Sequence, residues 1–503
     1  MKKILIIGGG LAGLSVGNYL QMNGYDTEIF EFYRAGGLCT SWKRKGYTID
    51  GCIHWLVGIN PQDQFYPSLN ELLDIDNIPK IVYEEFCSME MQGHAIHFWG
   101  NLDKFEEELK TISPQDSIAI EGLMLLIRKM ISFSLSGDKA YETMNPLEKL
   151  HILGKMVSMR KIFNTWKIPL DEFAQKFKNP LIKKFLSLFS WWEAPILGII
   201  MNAAWLHNKN SCYPLGGPET LINRLVKKYQ SLGGVLHENA KIAKIIVEDK
   251  AAKGVILQNG KIYISDDVIS AADGHETIVN MLGEQYADET TKALYFTDKY
   301  VPKKSQVYIS LGIARPFKES FKPYLYFFLK NPLNIGKTEV TNIGVTIHNF
   351  DPTSAPCGKT LITIMIPIYD IGYWTKLHKD NPAEYKAQKD SIAQHIIKEL
   401  DLHFGNIKNN VEMIDVATPV TYMRYTNNWN GAPMAWQDYS LAINKPHKEI
   451  KGLKHFFMCG HWLGDQGIAG ALKSGRDLAQ IICKRDGNKF TSKKNEKLAI
   501  SPI

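Results

Sequence analysis

Several features are missing or scarce in this 503-residue chain. Its seven cysteines (39, 52, 87, 212, 357, 459 and 483) include no Cys-x-x-Cys pair. That argues against a zinc site, any other metal centre or a disulfide scaffold, and for a reducing compartment, expected to be the cytoplasm. No stretch offers the roughly 20 uninterrupted apolar residues that a membrane-spanning helix needs. Repeats and low-complexity segments are absent. Lys+Arg (59) exceeds Asp+Glu (52) to give a net +7, without the basic stripe or reading module of a nucleic-acid binder, so no nucleic-acid partner is expected. Part of the excess lies in "CKRDGNKFTSKKNEK", and residues 486–503 read as a flexible basic tail.

What is present is ordinary for a folded globular protein: 45% apolar and 22% charged residues. The length exceeds one compact core and predicts two domains, or one with a large insertion. The opening "MKKILIIGGG" has the basic start of a signal peptide, but its apolar run is short and meets glycine at once, so it reads as a buried strand.

That strand begins the most informative stretch. After residues 3–7, Gly8, Gly10 and Gly13 form G-x-G-x-x-G, a helix follows, and a second strand ends at Glu31, eighteen residues after Gly13. Each part has a mechanical role in holding a dinucleotide. Gly8 makes the tight turn, Gly10 lets a pyrophosphate touch backbone, and Gly13 lets helix and strand pack closely. Leu11, Ala12 and Gly13 open the helix, whose free N–H groups and positive end face the phosphates. Glu31 accepts hydrogen bonds from the ribose. Arg34 has two readings, a partner for cofactor phosphate or an exposed loop charge.

Downstream, "RAGGLCTSWKRKGYTIDGCIHWLVG" carries the pair Gly36–Gly37 and then Gly46, Tyr47, Ile49, Asp50, Gly51, Ile53 and His54. This segment resembles the second cofactor segment of the amine-oxidase and phytoene-desaturase flavoprotein superfamily, most closely its retinol saturase and carotenoid isomerase branch. Three further segments carry the same resemblance in matching order: "YPLGGPETL…ISAAD" (213–273), "DPTSAPCGKTLITIMIP" (351–367) and "ATPVTYMRYTNNWNGAPMAW" (417–436). A fourth, "CGHWLGDQGIAGALKSG" (459–475), packs five glycines beside a helix start. In the family it lies along the ribityl chain and ring of FAD. The resemblance therefore implies FAD, held also by Gly460, His461, Gly467, Ile468 and Ala469. Many relatives carry an acid or glutamine where this chain has His461, and Asp465 is out of register for the ribityl contact.

The resemblance implies an α/β chain: a discontinuous Rossmann-like FAD-binding domain of glutathione-reductase or amine-oxidase type (1–78, 208–290, 411–485) and a substrate domain of mixed sheet and capping helices (79–207, 291–410). Of these inserts, the first reads as helical and the second as strands followed by a long amphipathic helix. A second G-x-G-x-x-G is absent, which favours a single-dinucleotide plan; the redox acceptor is left open.

The implied activity is an FAD-dependent oxidoreductase that desaturates, saturates or isomerises a carbon–carbon bond of an apolar polyene, retinoid-like or fatty substrate. A flavin amine oxidase and a non-catalytic flavin- or lipid-binding protein are the alternatives. His54 and Trp55 are the candidate catalytic residues. His54 either acts on the substrate or satisfies backbone groups in a buried loop, and His461 carries the same two readings. Phe189, Trp191 and Trp192 line an apolar tunnel, rest on a membrane surface as a peripheral contact, or form plain helix core.

Overall fold

The computed structural model describes residues 1–135, 137–189, 195–317, 324–435, 447–464 and 466–492. Trp191, Trp192, Asp465 and residues 493–503 of the basic tail lie outside these. A five-stranded parallel sheet runs in the order Val235–His237, Asp26–Phe30, Lys3–Ile7, Asp267–Ser270, Phe456–Met458. Its central strand, Lys3–Ile7, is buried from Ile4 onward, as a continuous apolar run flanked by strands on both sides requires. Helices Leu11–Met22, Gly217–Ser231 and Gly467–Arg485 are associated with it, and an antiparallel meander, Ile242–Glu248, Ala251–Leu257 and Ile262–Ile264, precedes its fourth strand. Chain segments separated by hundreds of residues thus share one sheet.

The second sheet has seven strands in the order Val411–Ala417, Ser305–Ile313, Thr360–Ile368, Thr338–Ile347, Tyr324–Ile335, Glu85–Met91, His94–Trp99. Its inner strand Ser305–Ile313 is buried at every position, and the long helix Pro382–Phe404 packs Ile392, Ile396 and Leu400 into the same core.

Two features differ from the sequence expectation. The insert 79–207 is not wholly helical: after the short strand Lys80–Val82 it forms the hairpin Glu85–Met91/His94–Trp99, which extends the seven-stranded sheet by a parallel pairing with Tyr324–Ile335. Gln92 and Gly93 both take positive φ (52° and 79°), the turn geometry that matches the twist of a tight hairpin. At the other edge, Val411–Ala417 pairs with Ser305–Ile313, so this sheet runs past the boundary expected at 411.

Among the described residues no helix is long and apolar enough to cross a membrane. One helix, Pro146–Ser158, buries none of its residues. It turns Leu147 (77% exposed), Leu150 (63%), Leu153 (57%) and Val157 (62%) outward on one face, as their spacing of three to four residues dictates.

Candidate cofactor cradle and histidine site

The glycine turn after Lys3–Ile7 sits at the carboxyl end of the parallel strands, where open α/β sheets bind ligands. Its glycines are there for different reasons. Gly8 has φ +97°, and a Cβ there would press on the Ala271–Ala272 backbone at 3.1 Å. A Cβ on Gly13 would lie 1.9 Å from the Gly8 carbonyl oxygen, so the helix can approach its strand only without a side chain. Gly10 is different. Its φ of −73° suits any residue, and a Cβ would meet only the Gly36 oxygen, at 3.9 Å. No protein atom requires glycine at position 10. The space it leaves faces the start of helix Leu11–Met22, which has no side-chain cap and no acidic residue in its first turn. Unsatisfied N–H groups beside open space make an anion cradle.

The Gly36–Gly37 pair closes that cradle. The Gly36 N–H donates to the Gly9 carbonyl at 2.9 Å, and both glycines have positive φ, +115° and +58°. Glu31, 6% exposed, accepts the Gly9 N–H at 2.7 Å and the Tyr33 N–H at 2.9 Å. Burial raises its carboxyl above the usual range, and the two backbone donors oppose that. Arg34 is exposed, its guanidinium 5.7 Å from the Tyr33 ring centre.

The late glycine stretch lands beside the early one. Strand Phe456–Met458 runs parallel to Asp267–Ser270. Gly460, at φ +104°, then places a would-be Cβ 3.2 Å from the Ala12 Cβ, and its N–H donates to Ser474 Oγ at 2.9 Å. Helices Leu11–Met22 and Gly467–Arg485 touch closely: a Cβ on Gly475 would lie 2.7 Å from the Ala12 oxygen, and Ser15 Oγ donates to the Leu472 carbonyl at 2.6 Å. The helix start itself is open. Gly467 is exposed with nothing near its would-be Cβ, Ile468 is half-buried, Ala469 is buried, and among the described residues no side chain caps the turn. Burial pushes the His461 imidazole down to about 4, which keeps it neutral near pH 7.

A third region lies where four of the five resembling segments converge. Asp50 ends the strand Tyr47–Asp50. Its Oδ1 accepts the Cys52 and Ile53 N–H groups, and its Oδ2 accepts the Tyr213 hydroxyl at 2.8 Å. Burial lifts this carboxyl to about 7. The Gly216 N–H donates to Asp351 Oδ2 at 2.9 Å, and Thr48 N–H to the Ser354 carbonyl at 2.9 Å. Tyr422, from the segment at 417–436, accepts the Gln306 amide at 2.7 Å. Motifs far apart in the chain are thus fastened to one another.

His54 sits at this junction. Tyr83 donates to its backbone oxygen at 2.9 Å, and its ring lies 5.9 Å from that of Tyr324 and 6.1 Å from that of Tyr308. Trp55 packs edge-on against Phe86 at 4.6 Å, and Phe86 continues to Tyr324, Phe98 and Phe189. The result is an aromatic wall beside His54. Burial holds the His54 imidazole near 4. A small cavity of ≈ 10 Å³ is lined by Ile53, His54, Tyr83, Tyr213, Thr346, His348 and Phe350. His348, buried at the end of strand Thr338–Ile347, was not singled out in the sequence. Nothing around it there has motif spacing, and only the fold brings it to His54.

The comparisons bear on the family and the fold. The family model for flavin-containing amine oxidoreductases matches residues 11–483. The 4,4'-diapophytoene desaturase (4,4'-diapolycopene-forming) of Methylomonas sp. is 20% identical over 97% of this chain and 96% of its own length. A chloroplastic prolycopene isomerase of an Oncidium hybrid cultivar is 24% identical over 84% of this chain and 73% of its own. The fold is shared with putrescine oxidase bound to putrescine, at 14% identity, a TM-score of 0.60, and coverage of 96% of this chain and 99% of that one. An uncapped dinucleotide cradle, a second open helix start beside it and a family match across nearly the whole chain lead to one conclusion. The chain belongs to the flavin-containing amine oxidoreductase family and is an FAD-dependent oxidoreductase.

Proposed function

We propose that this oxidoreductase acts on carbon–carbon bonds of an apolar polyene or fatty substrate, by desaturation, saturation or isomerisation. The observation that carries this reading is the wall of Trp55, Phe86, Phe98, Phe189 and Tyr324 beside His54. Such a surface gains from covering hydrocarbon. The names of the desaturase and isomerase relatives support the same substrate class.

In this reading Gly8, Gly10, Leu11, Ala12, Gly13, Gly36 and Gly37 cradle the FAD pyrophosphate, Glu31 takes the ribose, and Arg34 lies at the phosphate edge. Gly460, His461, Gly467, Ile468 and Ala469 hold the ribityl and ring end. Bound flavin supplies the two-electron chemistry. His54 and Trp55 border the substrate, and a neutral His54 is able to take up or return a proton at its ring nitrogens. The discontinuous division into cofactor and substrate domains belongs to the same proposal, with the strand Val411–Ala417 as part of the substrate sheet.

The exposed stripe of Leu147, Leu150, Leu153 and Val157 fits delivery of such a substrate from an anionic lipid surface. Lys149, Lys155, Arg160 and Lys161 accompany it and supply the charge complement.

Mass spectrometry of the apolar extract of the purified yellow protein tests the reading. A copurifying polyene or lipid that reduces or reoxidises the flavin anaerobically supports it; an amine as the flavin-reducing ligand overturns it. His54→Ala is expected to slow turnover at least tenfold with flavin still bound, and an unchanged rate removes His54 from the chemistry.

A further inference from the structure

Gly344 stands in the inner strand Thr338–Ile347, paired on both sides. A glycine inside a strand costs about 0.5–1 kcal/mol against alanine, and the backbone here, which lacks positive φ, does not require one. The reason lies on the next strand. A Cβ on Gly344 would come within 2.6 Å of Tyr326 Cε1, 3.0 Å of Cζ and 3.1 Å of Cδ1. The Tyr326 ring therefore lies down over Gly344 instead of standing off the sheet. Gly312 makes a similar gap for Tyr47, at 2.5 Å, but that ring arrives from a strand of another sheet and fastens two layers. Gly344 and Tyr326 are partners on adjacent strands, so their contact fastens no second layer and serves to lower one ring.

That ring belongs to the face of the sheet beside His54. Side chains alternate along a strand, so Tyr324, Tyr326 and Phe328 share a face, and the register adds Gly344, Met365 and Tyr308 to it. The Tyr324 ring is 5.9 Å from those of both His54 and Tyr326. Tyr308 donates its hydroxyl to the Asp50 carbonyl at 2.7 Å, and Thr346, the next residue of this face beyond Gly344, lines the cavity that His54 also lines. The two faces are filled differently. On the far one Ile343, Val345, Ile364 and Ile366 are at most 1% exposed, in the core shared with the helix Pro382–Phe404. On the near one Phe328, Asn342, Thr346, Met365 and Pro367 are only half-buried. Space remains over this face, and Tyr326 is part of its floor.

We propose that Gly344 is a specificity-determining residue: by letting Tyr326 lie flat it gives the substrate cleft its headroom, and so fixes how thick an apolar chain passes beside His54. This rests on the apolar-substrate reading above and deepens it. A chain with methyl branches needs more clearance than an unbranched one, and a side chain at position 344 would lift the ring into that clearance. Gly344 acts through Tyr326 and touches no reacting atom, so its effect falls on which chains are accepted.

The test uses the flavin-loaded enzyme and two hydrocarbon probes: squalene, which carries methyl branches, and 1-tetracosene, an unbranched alkene with a main chain of the same length. Dissociation constants are read from tryptophan fluorescence and from perturbation of the flavin spectrum. Gly344→Ala is expected to weaken squalene at least tenfold and 1-tetracosene by less than about threefold, with flavin content unchanged. Tyr326→Trp, which puts a larger ring on the same floor, should give the same selective loss even if Gly344→Ala fails to fold. Combining Gly344→Ala with Tyr326→Leu should return squalene to within about threefold of the unaltered enzyme, because the added methyl then meets no ring. No loss, equal losses for the two probes, or a squalene loss that the double substitution does not recover, overturns the proposal and leaves the apolar-substrate reading standing. If neither probe binds the unaltered enzyme, that reading falls and the proposal falls with it.

Discussion

In the proposed reading, the protein meets its cofactor with backbone at the ends of the parallel strands and its substrate with side chains at the seven-stranded sheet. The first region is made of glycines, open helix starts and one buried glutamate. The second is made of aromatic rings, two histidines and a buried carboxyl. The difference follows from what each must recognise. Phosphates are small, charged and satisfied by N–H groups, whereas a hydrocarbon offers only area and shape. A backbone site can be encoded within a dozen consecutive residues, while a side-chain site needs contributions from many elements.

The sharpest way to break this contrast lies inside the first region. Gly13→Val would drive a side chain into the Gly8 carbonyl oxygen, 1.9 Å from the Cβ position. It should yield no folded protein, or one destabilised by at least ~3 kcal/mol in urea unfolding. Gly10→Val meets only the Gly36 oxygen, at 3.9 Å. It should fold normally and purify colourless, as read by flavin absorbance after gel filtration. A yellow Gly10→Val protein would mean that position 10 does not face the cofactor.

A smaller effect comes from the second region. Burial raises the Asp50 carboxyl from 3.8 to about 7, so the folded chain keeps a proton that the unfolded chain releases. Stability from this group is therefore lost as pH rises between about 4 and 7, and is level above that. Asp50→Asn keeps the acceptor used by the Cys52 and Ile53 N–H groups and carries no charge. It should stabilise by roughly 1–2 kcal/mol at pH 5 and by roughly 4 kcal/mol at pH 8. Unfolding curves at the two pH values check this, and an equal effect at both would mean that Asp50 is ionised throughout.

The smallest effect on the fold belongs to neither region. Leu150→Glu with Leu153→Glu, on the exposed face of Pro146–Ser158, should change stability by no more than about 0.5 kcal/mol. Cosedimentation with vesicles rich in phosphatidylserine should nevertheless fall several-fold. Unchanged cosedimentation, or a loss of self-association instead, would assign the leucine stripe to another partner.

The sequence was most legible where spacing is short. The strand, glycine turn, helix and strand through Glu31 could be read from thirty consecutive residues, and the structure has Lys3–Ile7, Leu11–Met22 and Asp26–Phe30 in those places. The proximity of Gly460 to Ala12 followed from the family resemblance, since no local pattern relates residues so far apart. Two elements escaped. The hairpin Glu85–Trp99 was hidden by the helices that follow it, although Gln92–Gly93 between two alternating runs is a turn signal. His348 escaped because only the fold brings it to Thr363, on another strand, and to the cavity it shares with His54. A lone histidine at a strand end carries no such information.

The contact between Ala12 and Gly475 has a consequence for how the protein comes into being. These residues are 463 positions apart (475 − 12), so at ribosomal rates of about 5–20 residues per second the first turn waits roughly 20 to 90 s for its mate. Throughout that interval the sheet around Lys3–Ile7 lacks its later strands. If that late helix holds the flavin as proposed, a chain halted before Gly467–Arg485 should leave the ribosome colourless, and flavin absorbance of the stalled chain checks it.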